Sequence, residues 1–171
     1  METLGRCLVL WLVFLVATSA QAQESRTVQF SRFSVELPAG WDGDEQTGFI
    51  SDNPEEYSLT LGHKDQSGDN FISQVTIYLL PNKPGVNARE AAKKLTEAQG
   101  DSTEPVQDGI FWSFRGEPRS RTIKGMATTF VNADPDTLLI IIAQDPENMG
   151  AEALIDSLRG LTPKAKQLLG R

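Results

Sequence analysis

Along most of this chain apolar and polar residues alternate over short spans, but Leu138 to Ala143 is apolar at six successive positions. β-Branched residues dominate that run, as suits a strand covered on both faces. Asp136 before it and Asp145-Pro146 after it leave room for a strand and not for a helix. We read this stretch as the central strand of a sheet. Alternating patterns predict further strands at Val28 to Phe30, Phe33 to Leu37, Tyr57 to His63 and Phe71 to Leu80. Gly48 to Ile50 reads as a short strand after an acidic turn, Asp42 to Glu45. Asp65 to Asn70 is a turn by composition. Ile110 to Arg115 and Arg121 to Val131 read as a hairpin around Gly116 to Arg119.

Period 3.6 occurs twice. Ala88, Ala91, Ala92 and Leu95 make one apolar stripe, preceded by Asn87 as N-cap with Glu90 in the capping-box position and followed by Gly100 as a C′ residue. Ala151, Leu154, Ile155 and Leu158 make the second. Asp145-Pro146 reads as its N-cap and first position, with Gly160, Leu161 and Pro163 as its stop. Long hairpin-connected runs of strands with one inserted and one terminal helix predict an α+β domain. Its sheet is largely antiparallel and flanked by helices. The expected limits are residues 28–161, with a frayed polar stretch at 23–27 and a mobile basic tail at 162–171.

The first residues change the picture of where this domain works. Met1 to Arg6, the apolar run Cys7 to Ala17 and the small residues of Ala20-Gln21-Ala22 form a secretory signal pattern. The apolar run is well short of the roughly 20 residues that span a bilayer. Cleavage near Ala22 is expected, with a periplasmic or secreted product; the alternative is a retained N-terminal anchor. Cys7, the only cysteine, lies inside the apolar run, so cleavage leaves none and the fold must rest on its core. The net charge of −7 argues against nucleic acid and against anionic membrane surfaces as partners. No stable membrane insertion is expected after cleavage.

Chemistry-bearing motifs are sparse. His63 is the only histidine; it sits at a strand end beside Lys64 and reads as a solvent-facing residue. One histidine builds neither a structural nor a catalytic zinc site. Asp65, Ser67, Asp69 and Asn70 share a loop, but Gly68 is out of place for an EF-hand and no Glu closes it, so a hairpin turn is the reading. No Gly-x-Ser-x-Gly elbow and no phosphate-cradling glycine loop is present. No catalytic residue, metal or cofactor is therefore expected. Two features have a positive reading. Arg115, Arg119, Arg121 and Lys124 cluster on one predicted hairpin. They serve either as charged protection of an edge strand or as a docking patch for an acidic partner. Trp41, Phe111, Trp112 and Phe114 are either core or, for Trp41 and Phe111, part of an apolar groove. Within the hairpin, residues 110, 112 and 114 share one face and Phe111 takes the other.

The segment Phe33-Ser-Val-Glu-Leu-Pro-Ala-Gly-Trp41 resembles the strand and Pro-x-Gly-Trp turn that open PsbP-like domains. An apolar strand, Asp145-Pro146 and a last helix reaching Ile155-Asp-Ser-Leu158 resemble their end. From Val28 to Leu161 the order of elements is similar to the PsbP/Mog-type α/β/α sandwich, also used by exported DcrB-like proteins. The chain departs from lipoprotein members in lacking a lipidation cysteine. The resemblance implies a non-catalytic accessory module that binds a protein partner, and it carries over no individual functional residue. A carrier or chaperone for an apolar ligand or peptide is the second expectation, and an unrecognised hydrolase the third.

Overall fold

The computed structural model describes residues 25–118 and 123–171, which hold ten strands and three helices. The expected signal segment, residues 1–22, lies outside the described residues. A short sheet pairs β1 (Arg26–Gln29) with β2 (Phe33–Leu37). A larger one contains β3 (Trp41–Thr47), β4 (Tyr57–Lys64), β5 (Phe71–Pro81), β6 (Val106–Asp108), β7 (Phe111–Gly116), β8 (Ala127–Ala133) and β9 (Thr137–Gln144). Its order is β3-β4-β5-β9-β8-β7-β6, every pair antiparallel. The apolar run thus forms β9, with three strands on either side of it. This is an α+β fold on a largely antiparallel sheet.

Register explains why β9 is apolar from Leu138 to Ala143. Ile141 sits opposite Ile77 on one side and Phe130 on the other, so one face of the sheet carries Leu59, Ile77, Leu139 and Ile141. These residues share a core with Phe33, Val35 and Leu37 of β2, and with Leu154 and Leu158 of helix α2 (Ala151–Ser157) and its C-cap. Ile140 and Val131 pair on the opposite face. There Val131 and Phe114 pack against Ala91 and Ala92 of helix α1 (Ala88–Ala98), flanked by Trp112, Leu138 and Leu95. The alanine stripe lets α1 sit close, and the Asn87/Glu90 capping box forms as its spacing predicts.

Several expectations are corrected. Asp42 to Glu45 is part of β3 and not a turn, because β4 pairs with it from Trp41↔His63 to Thr47↔Tyr57. As an edge strand, β3 keeps its charged residues in solvent, which blocks pairing with another sheet. Its Glu45 also accepts hydrogen bonds from the Ser31 and Tyr57 hydroxyls, each at 2.9 Å. Gly48 to Ile50 is the turn instead. Arg26 and Thr27, expected to fray, are paired with Leu37 and Glu36 in β1. Strand β8 starts only at Ala127, and the short edge strand β6 was not foreseen. Gly100 forms a bridge with Glu117 in place of capping α1.

The C-terminal expectations change most. Helix α2 starts at Ala151, five residues beyond the expected first position, with Gly150 in the left-handed region at φ 104°. The segment Arg159–Gly160 does not end a helix by a Schellman motif; it is strand β10, paired with β2. Gly160 is required there, because a Cβ would stand 2.4 Å from the Lys166 backbone nitrogen. Residues 162–171, expected to be mobile, form helix α3 (Pro163–Leu169) with Thr162 as N-cap. Ala165, Leu168 and Leu169 are buried in the main core. The Lys164 ammonium meets the Asp134 carboxylate at 2.6 Å, and the Asn132 amide donates to the Leu168 carbonyl at 2.7 Å. The domain therefore includes the tail. No helix among the described residues is long and apolar enough to cross a membrane.

Candidate functional site

Helices α2 and α3 cover the face of the sheet that carries Ile141, but they leave part of β7 and β8 uncovered. A cleft of about 750 Å³ remains between them. Its floor is sheet: Phe111 and Arg115 of β7, Thr128 and Phe130 of β8, and Ile141 and Ala143 of β9. Period-two alternation places these six side chains on one face. Phe111 meets Phe130 edge-on, with ring centroids 6.2 Å apart.

The helical wall follows from the phase of α2. Leu154 and Leu158 point into the core at full burial. Ala151 and Ile155, one turn apart, line the cleft beside them, and Glu152 and Asp156 form its outer edge. The mouth is closed at one end by Ile110, 48 % exposed, which packs over Gly170. Met126, 38 % exposed, borders the cleft near Thr128. Phe111, Phe130, Ala143 and Ile155 are each half-buried, so the floor presents apolar surface that the fold itself leaves uncovered.

Charges around the cleft divide into engaged and free groups. The Asp145 carboxylate accepts from the backbone N–H groups of Met149 at 2.8 Å, Gly150 at 3.1 Å and Ala151 at 3.0 Å. Burial would raise its pKa, but the hydrogen bonds from Ala151 and Met149 outweigh that and hold it below the usual carboxylate value. Asp145 therefore anchors the start of α2. The Arg171 guanidinium donates to the carbonyls of Leu158 and Ile155 and joins α3 to the end of α2. Asp108, Glu152, Asp156 and Arg115 form no ion pair among the described residues.

Of the residues singled out in the sequence, Phe111 lines the cleft and Trp41 does not. Trp41 is 2 % exposed, packs in the main core, and donates its indole N–H to the Met149 carbonyl at 2.9 Å. As the first residue of β3 it faces the core by strand alternation, and there it meets His63 edge-on. Arg115 is exposed on the floor side of β7. Lys124 lies on an exposed segment whose neighbours, Ile123 and Gly125, are held through their carbonyls by Gln144. Arg119 and Arg121 lie outside the described residues. Among the described residues no cluster of His, Asp and Glu is arranged to hold a metal ion, and Asp65 to Asn70 closes its hairpin through the Asp65 carboxylate.

Sequence reasoning missed Phe130, Thr128 and Ile155 as cleft residues. The alternation of β8 and the phase of α2 were both legible, but which stretch of floor α2 leaves open depends on how the helices pack. Comparison with models of protein families, with curated proteins and with solved structures finds no match.

Proposed function

We propose that this protein is an exported, non-catalytic binding module, a PsbP-like α/β/α sandwich that seats an apolar segment of a protein partner in the cleft beside α2. The half-buried Phe111, Phe130 and Ala143 of the floor and Ile155 of the wall carry the reading, because apolar surface left open in a concave site is where an occupant gains most from desolvation. The sandwich arrangement is supported by α1 on one sheet face and α2 with α3 on the other.

Site-directed photocrosslinking in cells tests this. A photoreactive residue at Met126, on the cleft border, is expected to yield an adduct with a discrete polypeptide, while one at Lys93, on the exposed side of α1, yields none. Filling the floor by Thr128→Trp is expected to abolish the adduct with the fold retained by circular dichroism. An adduct that survives the filled cleft, or one whose added mass is a lipid, overturns the reading.

A further inference from the structure

The charges at the cleft select among apolar segments. Asp145 and Arg171 are consumed within the fold, the first by backbone N–H groups and the second by backbone carbonyls. Among the described residues, the charged side chains left for a ligand are Asp108 beside the β6–β7 turn, Glu152 and Asp156 on α2, and Arg115. Glu152 and Asp156 are both exposed and stand one helical turn apart, where like charges repel. Neither is relieved by an ion pair among the described residues. Among the described residues that line the cleft, four carboxylates (Asp108, Asp145, Glu152 and Asp156) face two guanidinium groups (Arg115 and Arg171), an excess of negative charge beside the apolar floor in a protein whose net charge is already −7. A cleft lined by one sign of charge over low-dielectric walls concentrates the opposite sign.

Building on the binding-module reading, we propose that the occupant is a basic amphipathic peptide segment. Its apolar side chains rest on Phe111, Phe130 and Ile155, and its lysine or arginine side chains reach Glu152 and Asp156. Arg115, on the sheet side, is left to meet a backbone carbonyl or the segment's C-terminal carboxylate. An anionic amphiphile such as a fatty acid would place its head among three carboxylates and one guanidinium, which disfavours it.

The test uses the purified exported protein and three fluorescent short peptides in which leucine alternates with lysine, serine or glutamate, read by anisotropy. The lysine peptide is expected to bind about tenfold tighter than the glutamate peptide at low salt, as two rim charge contacts give. That preference shrinks as salt is raised. The double variant E152K/D156K is expected to remove it. The double variant D44K/E97K changes net charge equally at exposed sites on β3 and α1 and is expected to leave it intact. Equal binding of all three peptides refutes the charge selection while leaving the binding-module reading standing. Equal loss in D44K/E97K reduces the effect to net charge and also refutes it. Failure of every peptide to bind, or displacement of the lysine peptide by oleate at lower concentration than by unlabelled peptide, sinks both.

Discussion

Replacing Asp145 by alanine leaves three backbone N–H groups at the start of α2 without their acceptor. The distances, 2.8, 3.1 and 3.0 Å, are those of well-formed bonds to a carboxylate. Hydrogen bonds to a charged group contribute roughly 1.5–3 kcal/mol each when buried. Water reaches this end of the cleft and replaces part of each, so about 1 kcal/mol per bond is retained and D145A should cost about 3 kcal/mol. Asn at the same position keeps one acceptor oxygen without the charge and should lose about half as much. Urea unfolding at neutral pH, with the m-value checked for constancy, measures both. The pH dependence has a definite sign. Despite partial burial, the backbone hydrogen bonds hold the folded-state Asp145 carboxyl below its ordinary value. Its contribution is therefore complete above the unfolded value and is lost as pH falls through the folded one. The gap between wild type and D145N should be flat above about pH 5 and narrow in acid. A cost of D145A below about 1 kcal/mol, or a gap that does not narrow, would refute the assignment of Asp145 as the anchor of α2.

The remaining predictions concern the C-terminal region. Gly160→Ala places a methyl 2.4 Å from the Lys166 nitrogen and 2.5 Å from the Ala165 carbonyl carbon. Both are backbone atoms that cannot swing aside, so thermal unfolding should report a loss of about 2–3 kcal/mol. Leu168→Ala empties a site 2 % exposed and should cost about 3 kcal/mol by denaturant titration; no loss would mean that residues 162–171 do not pack. Lowering the pH should also weaken the Lys164–Asp134 contact. The Asp134 carboxyl, despite burial that would raise it, is held below its usual value by hydrogen bonds and charge from Lys164. Its stabilisation is lost as pH falls through that depressed value, and amide exchange of α3 should accelerate there before the rest of the domain.

Local rules read well wherever one short-range pattern decided the outcome. Leu138 to Ala143 is apolar at every position because apolar side chains pack on both faces of β9, apart from the end at Ala143 that borders the cleft, and the run is legible in the sequence. The capping box at Asn87 and Glu90 formed because its two hydrogen bonds lie within four residues. Alternation placed Phe111 opposite Trp112 and Phe114, and the structure puts Phe111 against Phe130 on one face and Phe114 against α1 on the other.

Where local signals conflicted with a distant partner, the partner prevailed. Asp42 to Glu45 has turn composition, yet a strand already exposing an edge at β4 supplies backbone partners that acidic residues accept when their side chains face water. Arg159-Gly160 has the composition of a helix stop and became a strand because β2 offered it an edge and α3 needed a residue without a Cβ beneath it. The basic tail reads as mobile because Lys164, Lys166 and Arg171 are prominent; its Ala165, Leu168 and Leu169 form a stripe too short to register as a helix alone. Such a short helix is stable only through tertiary contact. The sequence by itself determined the central strand, the largely antiparallel sheet and the two longer amphipathic stripes, because each rests on neighbours a few residues apart. The edge strand β3, the folding of the tail and the existence of the cleft were decided only in three dimensions. Each depends on which surfaces elements far apart in the chain cover and which they leave open.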